Sequence, residues 1–281
     1  MAKINKNTPS LFETFKTSNS TVTELRVGIF APITQVTAAS AIQKEFIKEG
    51  RVRKLFTSWG SVKVKGNILT QIHRDIIDAI FATATFSETT KRGNIAIFFS
   101  GYEVQKFLEK KSLRNNTWLK KKLDEIKTTN IEFTDQEGNT YDFNITDSGG
   151  YSVKKDSFAI VFTEGYMNFF QKQVSVNYKK ETKNLLKIND PLIKAIARFF
   201  FTHSNNIQID FLNLLDILGY PTSIPASIKK ARRAVREHKE DLKSFNIEVE
   251  PKTWLVKYSK LDTVSHNIPK NNQIKDNNKK G

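Results

Sequence analysis

Apolar residues recur at three- and four-residue steps in several separate stretches, with short alternating runs between them, and the same order of patterns occurs twice along the chain. In the first block Val62-Lys63-Val64-Lys65 alternates as a strand. Thr70 then stands where a helix cap belongs, ahead of Ile72, Ile76, Ile77, Ile80, Phe81 and Ala84 on one helical face. The run Ile95-Ala96-Ile97-Phe98-Phe99 predicts a second strand, and Ser100-Gly101 opens a helix with Val104, Phe107 and Leu108 inward. Asn115 and Asn116 are N-cap residues for a third helix carrying Trp118, Leu119, Leu123 and Ile126 on one side. Residues 131–134 and 141–145 around Gly138-Asn139 predict a β-hairpin, and residues 158–162 a further strand.

The second block repeats the order. Pro191 sits in the first helical turn, followed by Leu192, Ile193, Ile196, Ala197 and Phe200 as a stripe. Residues 207–209 predict a short strand. Asp210 caps a helix with Phe211, Leu214, Leu215 and Leu218, which Gly219-Tyr220-Pro221 ends. Ile228, Ala231, Val235, His238, Leu242 and Phe245 predict one long helix over 225–244, and residues 247–249 and 254–258 a closing hairpin. Three helices and then a hairpin is the winged-helix variant of helix-turn-helix. The expected fold is therefore α+β: two tandem winged-helix domains, each a helix-turn-helix plus a β-hairpin.

The domain plan expected from these patterns is a mobile N-terminal tail over 1–23, an N-terminal winged-helix domain over 24–180, a C-terminal one over 181–262, and a basic tail over 263–281. The Lys-rich stretch at 177–187 reads as the join. At 281 residues the length suits two domains, and 21 Phe furnish much of their cores.

Charge narrows the partner. With 45 Lys and Arg against 29 Asp and Glu, the formal net charge is +16, which attracts a polyanion without saying which. On the 225–244 helix the inward stripe leaves Lys229, Lys230, Arg232, Arg233 and Arg236 outward in the N-terminal half, the half that lies against base edges when such a helix docks. Arg can hold guanine O6 and N7 with two hydrogen bonds, whereas Lys chiefly neutralises phosphate. Arg232, Arg233 and Arg236 are thus the base-reading candidates, and Lys229 and Lys230 the phosphate contacts. On the first block's third helix, Asn116, Lys120 and Lys121 are the matching candidates, with Lys122 beside them. A solvated basic face explains the same residues without DNA. Trp118 and Trp254 lie in apolar stripes and read as core, His73, His203 and His238 are isolated, and Arg74, Asp75 and Asp78 read as local ion pairing on an exposed helix face.

Other classes lose support in turn. The absence of Cys removes disulfides, thiol catalysis and Cys-ligated zinc. There is no GxxxxGK[ST], HExxH or GxSxG motif, so no catalytic residue, metal or cofactor is expected and the chain reads as a non-enzyme. The first twenty residues lack the apolar core of a signal peptide and no run approaches ~18 apolar residues, so a cytoplasmic location away from membrane is expected.

The segment Gly60-Ser61-Val62-Lys63-Val64-Lys65-Gly66-Asn67-Ile68-Leu69-Thr70-Gln71-Ile72-His73-Arg74-Asp75-Ile76-Ile77-Asp78-Ala79-Ile80, with Glu24-Leu25-Arg26-Val27-Gly28-Ile29-Phe30 ahead of it, resembles the TrfA-like plasmid replication initiators. That resemblance implies tandem winged-helix domains that bind direct repeats in double-stranded DNA at a plasmid origin, open an adjacent AT-rich region, and recruit a host replication initiator and helicase. It also implies exchange between a homodimer and a DNA-binding monomer. Residues 24–58, with Leu25, Val27, Ile29, Phe30 and Phe46, then serve either an interface or an ordinary core. A winged-helix transcriptional repressor or autoregulator needs the same reading helices. An origin-acting nuclease or strand-transferase would need clustered acids or a Tyr near metal-binding His, and a basic adaptor would bind anions without regard to sequence.

Overall fold

A computed structural model describes residues 19–57, 60–90, 94–113, 115–154 and 156–268. Strand β1 (Ser20–Thr21) leads into helix α1 (Val22–Arg26), where Thr21 and Glu24 cap each other reciprocally. There follow α2 (Ala41–Lys48), β2 (Val52–Thr57), β3 (Gly60–Lys65), α3 (Gln71–Thr83), β4 (Phe86–Thr89), β5 (Ile95–Ser100), α4 (Gly101–Phe107) and α5 (Asn116–Lys127). Strands β6 (Asn130–Asp135), β7 (Thr140–Asn144), β8 (Thr146–Ser152) and β9 (Ser157–Phe162) come next, then α6 (Glu164–Lys172), β10 (Ser175–Asn177) and α7 (Lys179–Lys187). The remainder is α8 (Pro191–Phe201), β11 (Ile207–Asp210), α9 (Phe211–Ile217), α10 (Pro225–Glu237), α11 (Lys239–Ser244), β12 (Ile247–Val249), β13 (Leu255–Tyr258) and β14 (Ser265–Asn267).

Two winged-helix units are present. In the first, α3, β5, α4 and α5 precede the β8–β9 hairpin, and the sheet runs β4-β5-β9-β8. In the second, α8, β11, α9 and α10 precede the β12–β13 hairpin, and the sheet runs β11-β13-β12. In both, the strand between the first two helices pairs with the last strand of the hairpin. Local signals position the helices: Asp210 accepts from the Leu212 and Asn213 amides, Asp190 from those of Leu192 and Ile193, and Pro191 occupies the first turn of α8.

The structure departs from expectation in several places. The first domain's wing is β8–β9, because the 131–145 hairpin pairs instead with β3, Val62 facing Phe133 and Val64 facing Ile131, to complete a separate β2-β3-β6-β7 sheet. The helix over 225–244 breaks at His238, whose backbone leaves helical geometry (φ −106°, ψ 27°); Leu242 and Phe245 beyond the break remain buried. The Lys-rich join is helix α7, with Thr182, Leu185 and Leu186 buried. Both tails are also shorter than expected. Residues 19–23 and 264–267 belong to the fold, because β10 pairs β1 on one side and β14 on the other, and Asn19, Ser20, Thr21 and Val264 are buried. The remaining tail positions, 1–18 and 269–281, lie outside the described residues.

The largest correction concerns α3. Ile76, Ile77, Ala79 and Ile80 are buried, and so is the face expected to meet water: α8 of the second domain packs over Asp75 and Asp78, Arg74 is enclosed by Asn19, Ser20 and Glu24, and His73 is held against Glu125 of α5. Arg198 Nη2 lies 2.6 Å from Asp75 and 2.8 Å from Asp78, and Lys194 Nζ lies 2.6 Å from Asp75. Arg74 pairs with Asp78 at 2.7 Å and stands 3.7 Å from Glu24. Tyr178 donates to Asp78 and Tyr166 to Glu24, and burial raises both phenol pKa values. Arg74, Lys194 and Arg198 thus face Glu24, Asp75 and Asp78 in a balanced set, which is what a buried junction requires of charges. Leu25, Val27, Ile29, Phe30 and Phe46 all serve cores.

Candidate nucleic-acid interface

Helix α10 buries Ala231, Ala234 and Val235 against the second core and leaves Lys229, Lys230, Arg233 and Arg236 exposed. Residues 233 and 237 are one turn apart, and Arg233 Nε reaches Glu237 at 2.7 Å, both side chains being more than half exposed. Solvent screens a surface pair of this kind, so it yields readily to a stronger acceptor.

Arg232 behaves differently. It is partly buried, with its guanidinium 4.8 Å from the Trp254 ring centre, and Arg236 lies 5.2 Å from the same ring. Trp254 belongs to the wing and has a left-handed backbone (φ 58°). Its amide donates to Glu250 O at 2.8 Å, its carbonyl accepts from the Phe211 amide at 3.0 Å, and its ring packs 5.4 Å from that of Phe211. Trp254 therefore packs at the edge of the second core and ties α9, α10 and the wing together.

The first domain carries a smaller version of this arrangement. Asn115 is the cap of α5, accepting from the Trp118 amide, so Asn116 is its first helical residue. Asn116 donates to Tyr151 Oη at 3.1 Å, and Tyr151 Oη donates to Asp156 at 2.7 Å. Lys120 Nζ lies 4.3 Å from the Tyr151 ring, on wing strand β8. Lys121 is exposed at the mouth of a cleft of about 800 Å³, while Lys122 is engaged by Glu125 at 2.7 Å. The structure thus gathers the candidates on two equivalent helices. It holds Asn116, Lys120, Arg232 and Arg236 against the wings and leaves Lys121, Lys229, Lys230 and Arg233 outward. Sequence reading missed the roles of Tyr151 and Trp254, whose helix partners lie 31–35 and 18–22 positions away along the chain, beyond any helical or strand period.

No protein-family profile matches the sequence, and no curated protein does. Solved structures do resemble it: a crystal structure of domains 2 and 3 of RctB superposes with a TM-score of 0.52 at 10% identity, over 74% of this chain and 90% of that one. The shared feature is the fold. A second RctB domains 2–3 structure gives 0.45 and 10% identity over 79% and 92%. The RctB domains are winged-helix domains, as are the two described above. Among the described residues, no helix is long and apolar enough to cross a membrane.

Proposed function

We propose that this chain binds double-stranded DNA in a sequence-specific way through its two winged-helix units and initiates replication at repeated origin sites of a plasmid, with no ATPase activity of its own. The observation that carries this reading is α10. A helix in the reading position of a winged-helix domain presents Lys229, Lys230 and Arg233 outward, with Arg232 and Arg236 braced on the wing. The resemblance to RctB, a replication initiator of Vibrio chromosome II, supports the initiator role, and the TrfA-like segments support a plasmid origin. In this reading Arg233 addresses a base, Lys229, Lys230, Lys120 and Lys121 address phosphates, and Asn116 holds α5 to its wing. Binding energy rather than nucleotide hydrolysis then distorts the duplex, and a host initiator and helicase complete opening.

The test is selection of preferred duplexes from a random pool, followed by footprinting on a supercoiled template carrying tandem copies of the winner beside AT-rich DNA. An asymmetric footprint longer than one helical turn, with unpaired-base reactivity nearby in the absence of ATP, is expected. Tight binding without any unpaired reactivity, even with host factors, would leave a repressor; binding indifferent to sequence would leave a basic adaptor.

A further inference from the structure

Arg232 and Arg236 are one helical turn apart, so their side chains leave α10 on the same side. Both reach the indole of Trp254, at 4.8 and 5.2 Å from its centre. A cation is attracted to an aromatic face, but two cations sharing one indole repel each other. The neighbouring acids are engaged elsewhere, Glu237 by Arg233 at 2.7 Å and Glu250 by Lys257 at 3.8 Å. Among the described residues no carboxylate pairs with Arg232 or Arg236.

Two further features point to an anion. Arg232 Nε is buried and meets no acceptor among the described residues, so the guanidinium rests on the Trp254 ring and its terminal nitrogens carry its remaining donors. Beside it lies a hollow of about 480 Å³ lined by Leu212, Pro225, Ile228, Lys229, Arg232 and Arg236, three apolar side chains and three cations with no acid. A planar guanidinium matches two oxygens of a phosphate at once. An arginine folded against its own wing is also short of reach for base edges on a groove floor, whereas phosphates line the groove's rim.

We infer that Arg232 and Arg236, held side by side on Trp254 with Lys229 at the hollow, clamp one backbone phosphate of the bound duplex, and that Trp254 is the positioning residue that sets the clamp. This rests on the reading that α10 docks on duplex DNA. The three arginines then have separate roles, Arg233 addressing a base while Arg232 and Arg236 fix register.

The experiment replaces the phosphates of a selected duplex, one at a time, by neutral methylphosphonates and measures Kd by anisotropy with the full chain. Wild type should lose about tenfold to a hundredfold at one linkage beyond the general loss of charge. That linkage should become silent in Arg232→Gln/Arg236→Gln, whose salt slope falls by at least ~0.9 and whose order of preference among sequences is unchanged. Trp254→Phe, which keeps an aromatic face, should retain the linkage effect, and Trp254→Leu should lose it at unchanged preference order. Because Arg236 is exposed and Arg232 is only partly buried, the Gln pair answers the question even where Trp254→Leu fails to fold. A linkage effect that survives in the Gln pair, or a base preference that relaxes in it, overturns the clamp while leaving duplex recognition standing. Absence of sequence-selective duplex binding by wild type overturns both.

Discussion

Arg198 Nη2 stands 2.8 Å from a carboxylate oxygen of Asp78 across the junction of the two domains, and neither side chain is more than 2% exposed. The attraction offsets the loss of hydration only because Asp75, Glu24, Arg74 and Lys194 complete the set. Arg198→Ala leaves the buried carboxylates of Glu24, Asp75 and Asp78 facing only Arg74 and Lys194, and is expected to lower unfolding stability by about 3–5 kcal/mol. Equilibrium urea denaturation checks this, with Arg198→Met/Asp75→Asn expected to lose less because it removes a charge of each sign. Equal losses for the two variants would count against charge balance as the reason.

Close backbone approach at the same junction gives a second expectation. Arg53 donates to the carbonyls of Gly28 and Gly219, and a Cβ on Gly28 (φ +62°) would stand 2.5 Å from Leu218 O. Gly50 has a similar backbone (φ +69°) with nothing within 4 Å. Gly50→Ala should therefore cost only the left-handed penalty of about 1–2 kcal/mol, and Gly28→Ala that penalty plus the displacement of α9. Thermal melting of the two variants side by side measures the difference. A Gly28→Ala variant no worse than Gly50→Ala would show that the junction gives way freely.

Acid should destabilise the fold before its carboxylates titrate. Burial, and next the charge of Arg26, hold the His203 pKa down at about 4, and burial also lowers those of His73 and His266. Unfolded histidine takes up a proton near 6.5. Between those values the unfolded chain binds more protons than the folded one, so stability present above about pH 6.5 is lost as pH falls toward 4. Glu125, held at about 2 first by its hydrogen bond with His73, adds a second loss below the ordinary carboxylate range. Melting temperature recorded from pH 7.5 to 4 should fall, and His203→Gln should flatten the slope. An unchanged slope in that variant would place the proton uptake at other groups.

For recognition, Arg233→Ala should cost about 1–3 kcal/mol on the preferred site and relax preference at one base pair. Lys229→Ala should weaken all sequences alike and reduce the salt slope by ~0.9. Anisotropy titrations over several salt concentrations, on the preferred duplex and single-base variants of it, separate the two. Sequence-independent losses of equal size would remove Arg233 as a base contact.

What the sequence determined by itself is what one or two turns of chain can specify. The stripe through Leu192, Ile193, Ile196 and Phe200, the caps at Asp190 and Asp210, the stop at Gly219 and the basic run from Lys229 to Arg236 all express local geometry, because helix period, capping and backbone sterics act between near neighbours. Only the tertiary structure decided what those surfaces meet. Periodicity marks Val62 and Val64 for burial but is blind to whether Phe133 or another strand covers them. It assigned Asp75 to water, since nothing near position 75 announces Lys194, 119 residues on. It placed Trp254 against the core, where its ring does pack, but could not foresee two guanidiniums on the same indole, because the hydrophobic effect that shapes the pattern is non-directional.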